Sequence, residues 1–261
     1  MANKPRQIDK QLEQLTAAEK LAAAKEKIKT LTFLAENAFD FVAMTAKVSY
    51  GDDVAAKIPP SKFANAYLVL RDQLMEAGII KACKLLDPPN SIMRDSLPVV
   101  AKLLDDGDVQ TLVLREVGGR ERAGSFIMAD PELAPELREE VERQIQSVAA
   151  TEADFRVEWA EKRIPELIDE IGHLARSELY RGVKEVRDAH IAHSLTRQTG
   201  KEPQMKYGHE SELVAKAAEI IESLYNIVNG VGFDLSGDVQ KNAKERAANF
   251  WAHIEFKAPR E

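Results

Sequence analysis

The 261-residue chain carries one cysteine, Cys83, so no internal disulfide can form. A reducing cytoplasm is the simplest compartment for such a chain. No apolar run approaches the roughly 20 residues that a membrane span needs. The start, MANKPRQIDKQLEQLTAAEK, is charged and lacks an apolar core followed by a cleavage site, so it does not read as a secretory leader. Glycine is sparse, at 13 residues, and alternating runs of Val, Ile, Thr and aromatics are missing, which leaves strands little support. There is no excess of positive charge either. The net charge is −7 and the pI about 5.5, which counts against a protein that coats nucleic acid nonspecifically. A local basic site on an acidic body is still allowed. No fixed-period repeat is evident.

What is present is helix-forming sequence. Hydrophobic residues make up 44% and charged residues 30%, the balance of a globular chain. Residues 8–28 are rich in Ala, Leu, Glu, Gln and Lys, with a thin apolar face. They read as an exposed helical arm, suited to docking on a partner. Residues 31–49 carry a broader apolar face. Residues 62–86 read as a long buried helix with Phe63, Tyr67, Leu70, Leu74 and Ile79 recurring near helical spacing. Short helices follow at 96–105 and 108–116. VGGRERAGS (117–125) reads as a mobile loop, and a polar helix lies at about 135–148. From 152 to 194 the pattern is helical, with Pro165 kinking or restarting it. Helix 210–229 is the clearest amphipathic segment, and 236–254 forms the last helix. The expected fold is an all-α bundle. Residues 1–29 form an N-terminal arm, and residues 30–256 form a single domain whose motif helix ends near 193.

The most chemical stretch is RDAHIAHS, residues 187–194. On an α-helix Arg187, His190 and His193 would share an arc of roughly 120°. The negative end of the helix dipole favours cations there. Histidine titrates nearest neutrality, and arginine offers a planar fork that matches phosphate oxygens. A proton-moving histidine beside a phosphate-holding arginine is a minimal set for metal-free phosphodiester cleavage. Within residues 175–206 seven basic residues (Arg176, Arg181, Lys184, Arg187, Arg197, Lys201, Lys206) face four acids, a local net charge of +3. That suits a polyanion. Ser194 and its polar neighbours add hydrogen-bonding groups for phosphate oxygens.

Other readings of these residues are blander. Cations are common in a helix's last turn and need serve nothing but the dipole. His190 and His193 are also spaced like two metal ligands, but no motif supplies a third from Glu185, Asp188 or His209. No metal and no cofactor is expected. Cys83 has apolar neighbours and reads as core. GGRERAGS lacks the GK[ST] of a phosphate-cradling loop.

RDAHIAHS resembles the signature of the HEPN superfamily of all-α ribonucleases: an arginine, a polar residue, and a histidine four to six residues after the arginine. Arg187, Asp188 and His193 fit it. The stretch also resembles the abortive-infection AbiU-type branch, as does KLLDPPNSIMRDSLPVVAKLL (84–104), in which a buried helix ends at an aspartate and a Ser-Leu pair opens a short helix. The resemblance spans about residues 30–230. It implies a bundle that dimerises through its motif helices, so that two Arg/His pairs share a cleft. It implies metal-independent cleavage of RNA that leaves a cyclic phosphate, in phage defence or as the toxin of a toxin–antitoxin pair. An antitoxin or regulatory protein is an implied partner. Carried onto this chain, His193 is the acid/base residue, Arg187 binds phosphate and Asp188 orients one of them. His190 is an extra histidine that competes for the proton-transfer role. Arg181, Lys184, Ser194, Arg197, Lys201 and Lys206 are the expected RNA contacts. Some relatives carry a modifiable tyrosine two residues after the histidine; Leu195 stands there instead. The alternative is a non-catalytic module that binds RNA or a nucleotide.

Overall fold

A computed structural model describes residues 7–50, 52–58, 62–124, 134–192, 205–206 and 208–255. These residues are helical, with no strand among them. The helices are α1 (Gln7–Glu13), α2 (Ala17–Tyr50), α3 (Asp52–Ala55), α4 (Lys62–Leu85), α5 (Leu97–Leu104), α6 (Gly107–Gly124), α7 (Pro135–Arg176), α8 (Glu178–Val186), α9 (His209–Leu224) and α10 (Gln240–His253). Three wider π-turns join in, at Arg187–Ala192, Tyr225–Asn229 and Leu235–Val239.

Helix α2 is the spine. Thr16 opens it with a capping box: Glu19 accepts from the Thr16 backbone N–H at 2.8 Å, and the Glu19 N–H donates to Thr16 Oγ1 at 3.3 Å. Leu21, Ala24, Ile28, Leu31, Ala35, Ala38 and Val42 then recur every three or four residues and are buried. This row packs against α4, α5, α6, α9 and α10. The expected N-terminal arm is therefore corrected. Ile8, Leu21, Ala24 and Ile28 belong to the main core. Ion pairs Lys20–Asp106 at 2.6 Å, Lys25–Glu116 at 2.5 Å and Lys27–Asp95 at 2.9 Å fasten the same segment to α6 and to the turns that precede α5 and α6. The apolar face of 8–28 is thin in the sequence because one of its four buried positions is an alanine, Ala24.

Helix α7 is the second long element, and it merges two helices expected separately. Pro165 lies inside it and does not end it. The break comes instead at Ser177, whose hydroxyl accepts from the Tyr180 N–H at 3.1 Å and caps α8. The loop expected at 117–125 is a second correction, because α6 runs on through Gly124. Gly118 lets α6 lie close against α7: a Cβ there would stand 3.2 Å from Val157 Cγ2. Of the row expected to bury α4, Tyr67 and Ile79 are buried while Leu70 is exposed. The amphipathic face of α9 is buried as its spacing predicts, from Leu213 to Leu224.

Candidate functional site

The site grows from α8. Tyr180 and Val183 bury one side of this helix against the core, which fixes its last turn beside α4. There the backbone widens into the π-turn Arg187–Ala192. Such turns admit an extra residue and re-aim the side chains around them. The 100° step of an ideal α-helix therefore does not hold over Arg187–Ala192.

Arg187 is held on two sides. Its Nη1 donates to Asp87 Oδ1 at 2.7 Å, and its Nε donates to Asp188 Oδ1 at 2.9 Å. The Arg187 side chain is 19% exposed and that of Asp87 22%. Burial alone would favour the neutral guanidine, but the bonds to Asp87 and Asp188 outweigh it and hold Arg187 firmly charged. Burial likewise opposes the charge on Asp188. Hydrogen bonds from Lys184 and Arg187 outweigh that and keep its carboxyl below the ordinary value. Lys184 pairs with the other Asp188 oxygen. Arg94 stands 3.8 Å from the second oxygen of Asp87, and Ser96 Oγ donates to the Asp87 carbonyl at 2.8 Å. Asp87 is thus fixed by backbone and side chain together.

Behind this cluster lie Cys83 and Tyr180, both buried. Burial pushes the Cys83 thiol up to about 12, which keeps it protonated and unreactive. Burial pushes the Tyr180 phenol upward too, and its hydroxyl has no partner among the described residues.

The structure thus brings together Arg187, Asp188 and Lys184 of the expected set. Arg181, further out, pairs with Glu178 at 3.0 Å and is exposed. Lys206 lies at the start of α9, where its backbone N–H donates to His209 Nδ1 at 3.2 Å. The side chain of His190 and residues His193, Ser194, Arg197 and Lys201 lie outside the described residues. Sequence reasoning missed Asp87 as a site residue. The 84–104 stretch shows Asp87 as the residue that ends a buried helix, but nothing local marks it as the partner of an arginine. Among the described residues no three His, Cys, Asp or Glu side chains converge as metal ligands. None of the described helices is long and apolar enough to cross a membrane.

The described residues thus form an all-α bundle in which Arg187, at the end of α8, is held between Asp87 and Asp188. The AbiU2 model of HEPN domains (HEPN_AbiU2) matches residues 7–248, and the chain belongs to that family. The match takes in α1 and all of α2, in keeping with their place in the core. No curated protein and no solved structure matches the chain.

Proposed function

We propose that this protein is a metal-independent endoribonuclease acting in abortive infection, phage defence or a toxin–antitoxin pair, with a composite Arg/His site at a dimer interface. The observation that carries the reading is the bracing of Arg187 by Asp87 and Asp188. A guanidinium fixed on two edges is preorganised to meet a phosphate without first being ordered. In the proposed reaction a base removes the proton of the ribose 2′-hydroxyl. The 2′-oxygen bonds to phosphorus, the bond from phosphorus to the 5′-oxygen breaks, and an acid returns a proton to that oxygen. The products are a 2′,3′-cyclic phosphate and a 5′-hydroxyl. His193 is assigned the proton transfers, with His190 as its competitor, and Asp188 positions Arg187. Arg181, Lys184, Ser194, Arg197, Lys201 and Lys206 are assigned to the RNA backbone. A partner copy supplies the second Arg/His pair, and an antitoxin or regulatory protein restrains the activity.

One observation favours a second reading. Two carboxylates already balance the Arg187 charge, which suits a structural brace in a module that binds RNA or a nucleotide without cutting it. A cleavage assay on total RNA in EDTA separates the two. The nuclease reading expects cutting by wild type, with cyclic-phosphate ends, and none by Arg187→Ala or His193→Ala. RNA binding without product from folded wild-type protein would favour the binding module.

A further inference from the structure

Two arginines border the Asp87 carboxylate, and they are not equivalent. Arg187 Nη1 donates to Oδ1 at 2.7 Å, while Arg94 Nη1 stands 3.8 Å from Oδ2, beyond hydrogen-bond reach. The Arg187 side chain is 19% exposed, and its donors are turned on Asp87 and Asp188. The Arg94 side chain is 46% exposed, and its guanidinium donates to no described residue. The charges do not cancel either. Arg94, Lys184 and Arg187 meet two carboxylates, Asp87 and Asp188, so one positive charge is left over. Lys184 and Arg187 are hydrogen-bonded to those carboxylates, so the surplus falls on Arg94.

The backbone that carries Arg94 is tied down on both sides. Before it, Gln11 Oε1 on α1 accepts from the Ile92 N–H at 3.0 Å and from the Ser91 hydroxyl at 3.3 Å. The Ser91 carbonyl accepts from the Arg94 N–H at 3.2 Å. After it, Asp95 pairs with Lys27, and Ser96 is bonded to the Asp87 carbonyl. The position is a poor one for a cation that serves only a helix. Arg94 lies just ahead of the first turn of α5, the end where a helix dipole disfavours positive charge. An ordered turn therefore presents one half-exposed guanidinium with its donors unfilled. That fork matches phosphate oxygens, and little ordering remains to be done on binding.

We propose that Arg94 is a substrate-binding residue of this site, holding a phosphate of the RNA strand beside the one assigned to Arg187. The inference rests on the reading of the motif segment as an RNA site. It extends the path of the strand from the end of α8 onto the turn between α4 and α5.

The test uses the full-length protein and a short fluorescent 2′-O-methyl oligoribonucleotide. This probe lacks the free 2′-hydroxyl, so the proposed reaction cannot cut it. Affinity is read by anisotropy over a range of salt. Arg94→Ala should weaken binding about fivefold at about 0.1 M salt and lower the slope of log affinity against log salt by about 0.7, the counterion release of one single-strand phosphate contact. Arg94→Lys keeps the charge and should keep the slope. Both variants should unfold at the wild-type urea concentration, because a half-exposed ion contact at 3.8 Å adds little stability. Wild-type affinity and slope in Arg94→Ala overturn the proposal and leave the RNA reading standing. Weaker binding with an unchanged slope marks a brace acting through Asp87 and overturns it as well. Wild type without affinity for the probe overturns the RNA reading itself, and this inference with it.

Discussion

Arg187 and Asp87 are 100 positions apart in the chain and 2.7 Å apart in the fold. The contact joins the end of α4 to the end of α8 and puts charge on both sides of a half-buried seam. Removing one partner leaves the other charge poorly solvated. Asp87→Asn should therefore lower stability by about 1.5–3 kcal/mol, the usual worth of a hydrogen bond to a charged group. Arg187→Met should recover part of that loss in the Asp87→Asn background, since no unpaired charge then remains. Urea unfolding of the two single variants and the double variant measures both effects.

The seam also sets two limits on pH. Cys83 stays protonated in the folded protein up to about 12, while an unfolded thiol ionises near 8.5. Its contribution to stability is whole below that unfolded value and is lost as pH rises from there towards 12. Cys83→Ala should flatten the alkaline limb of a stability profile, and the native thiol should resist iodoacetamide at pH 8 until urea unfolds the chain. Asp188 behaves in the opposite sense. Its folded pKa is depressed, so its contribution is present above the ordinary aspartate value near 3.9 and is lost as pH falls below it. Asp188→Asn should flatten the acid limb.

Residues 8–28 are part of the fold, so deleting the chain up to Ile28 should do more than remove a partner-binding tail. It uncovers the core around Ile8, Leu21, Ala24 and Ile28 and breaks three ion pairs. The truncated chain should lose its cooperative thermal transition. An unchanged transition by calorimetry would show that the segment is dispensable.

Gly230 ends the turn Tyr225–Asn229 with a φ of +74°, and a Cβ there would lie 2.3 Å from Arg120 Nε. The guanidinium is seated because it donates from Nη2 to the Ile227 carbonyl at 2.6 Å. Gly230→Ala meets both a left-handed backbone and the arginine, and should cost about 1–3 kcal/mol by thermal unfolding. Shortening Arg120 to Ala in that background should relieve the collision while leaving the backbone strain.

Much of the bundle is legible in the sequence because helical spacing reports burial directly. The face of α9 and the Ile164–Leu174 row were readable for that reason. Alanine hides the same information. Ala24 is wholly buried yet adds little to an apolar tally, so the start of α2 reads as an arm. Gly118 and Gly119 together suggest a loop, although the reason for a small residue at Gly118 lies on another helix, at Val157. Ser177 passed unnoticed as a break, since a lone serine marks a helix start only when the helix before it stops. At the site Arg187 and Asp188 were legible from their motif. Asp87 was not, because no local pattern shows that an aspartate will meet an arginine a hundred residues later. The π-turn is silent for a related reason: it is a choice of backbone bonding rather than of residue type.

Helix α7, 42 residues long, reaches about 63 Å. A rod of that kind carries rotation and thrust with little loss. Its points of give are Pro165, which lacks one backbone bond, and the Ser177 joint. A push on the far tip near Leu137 is therefore delivered at that joint, ten residues before Arg187.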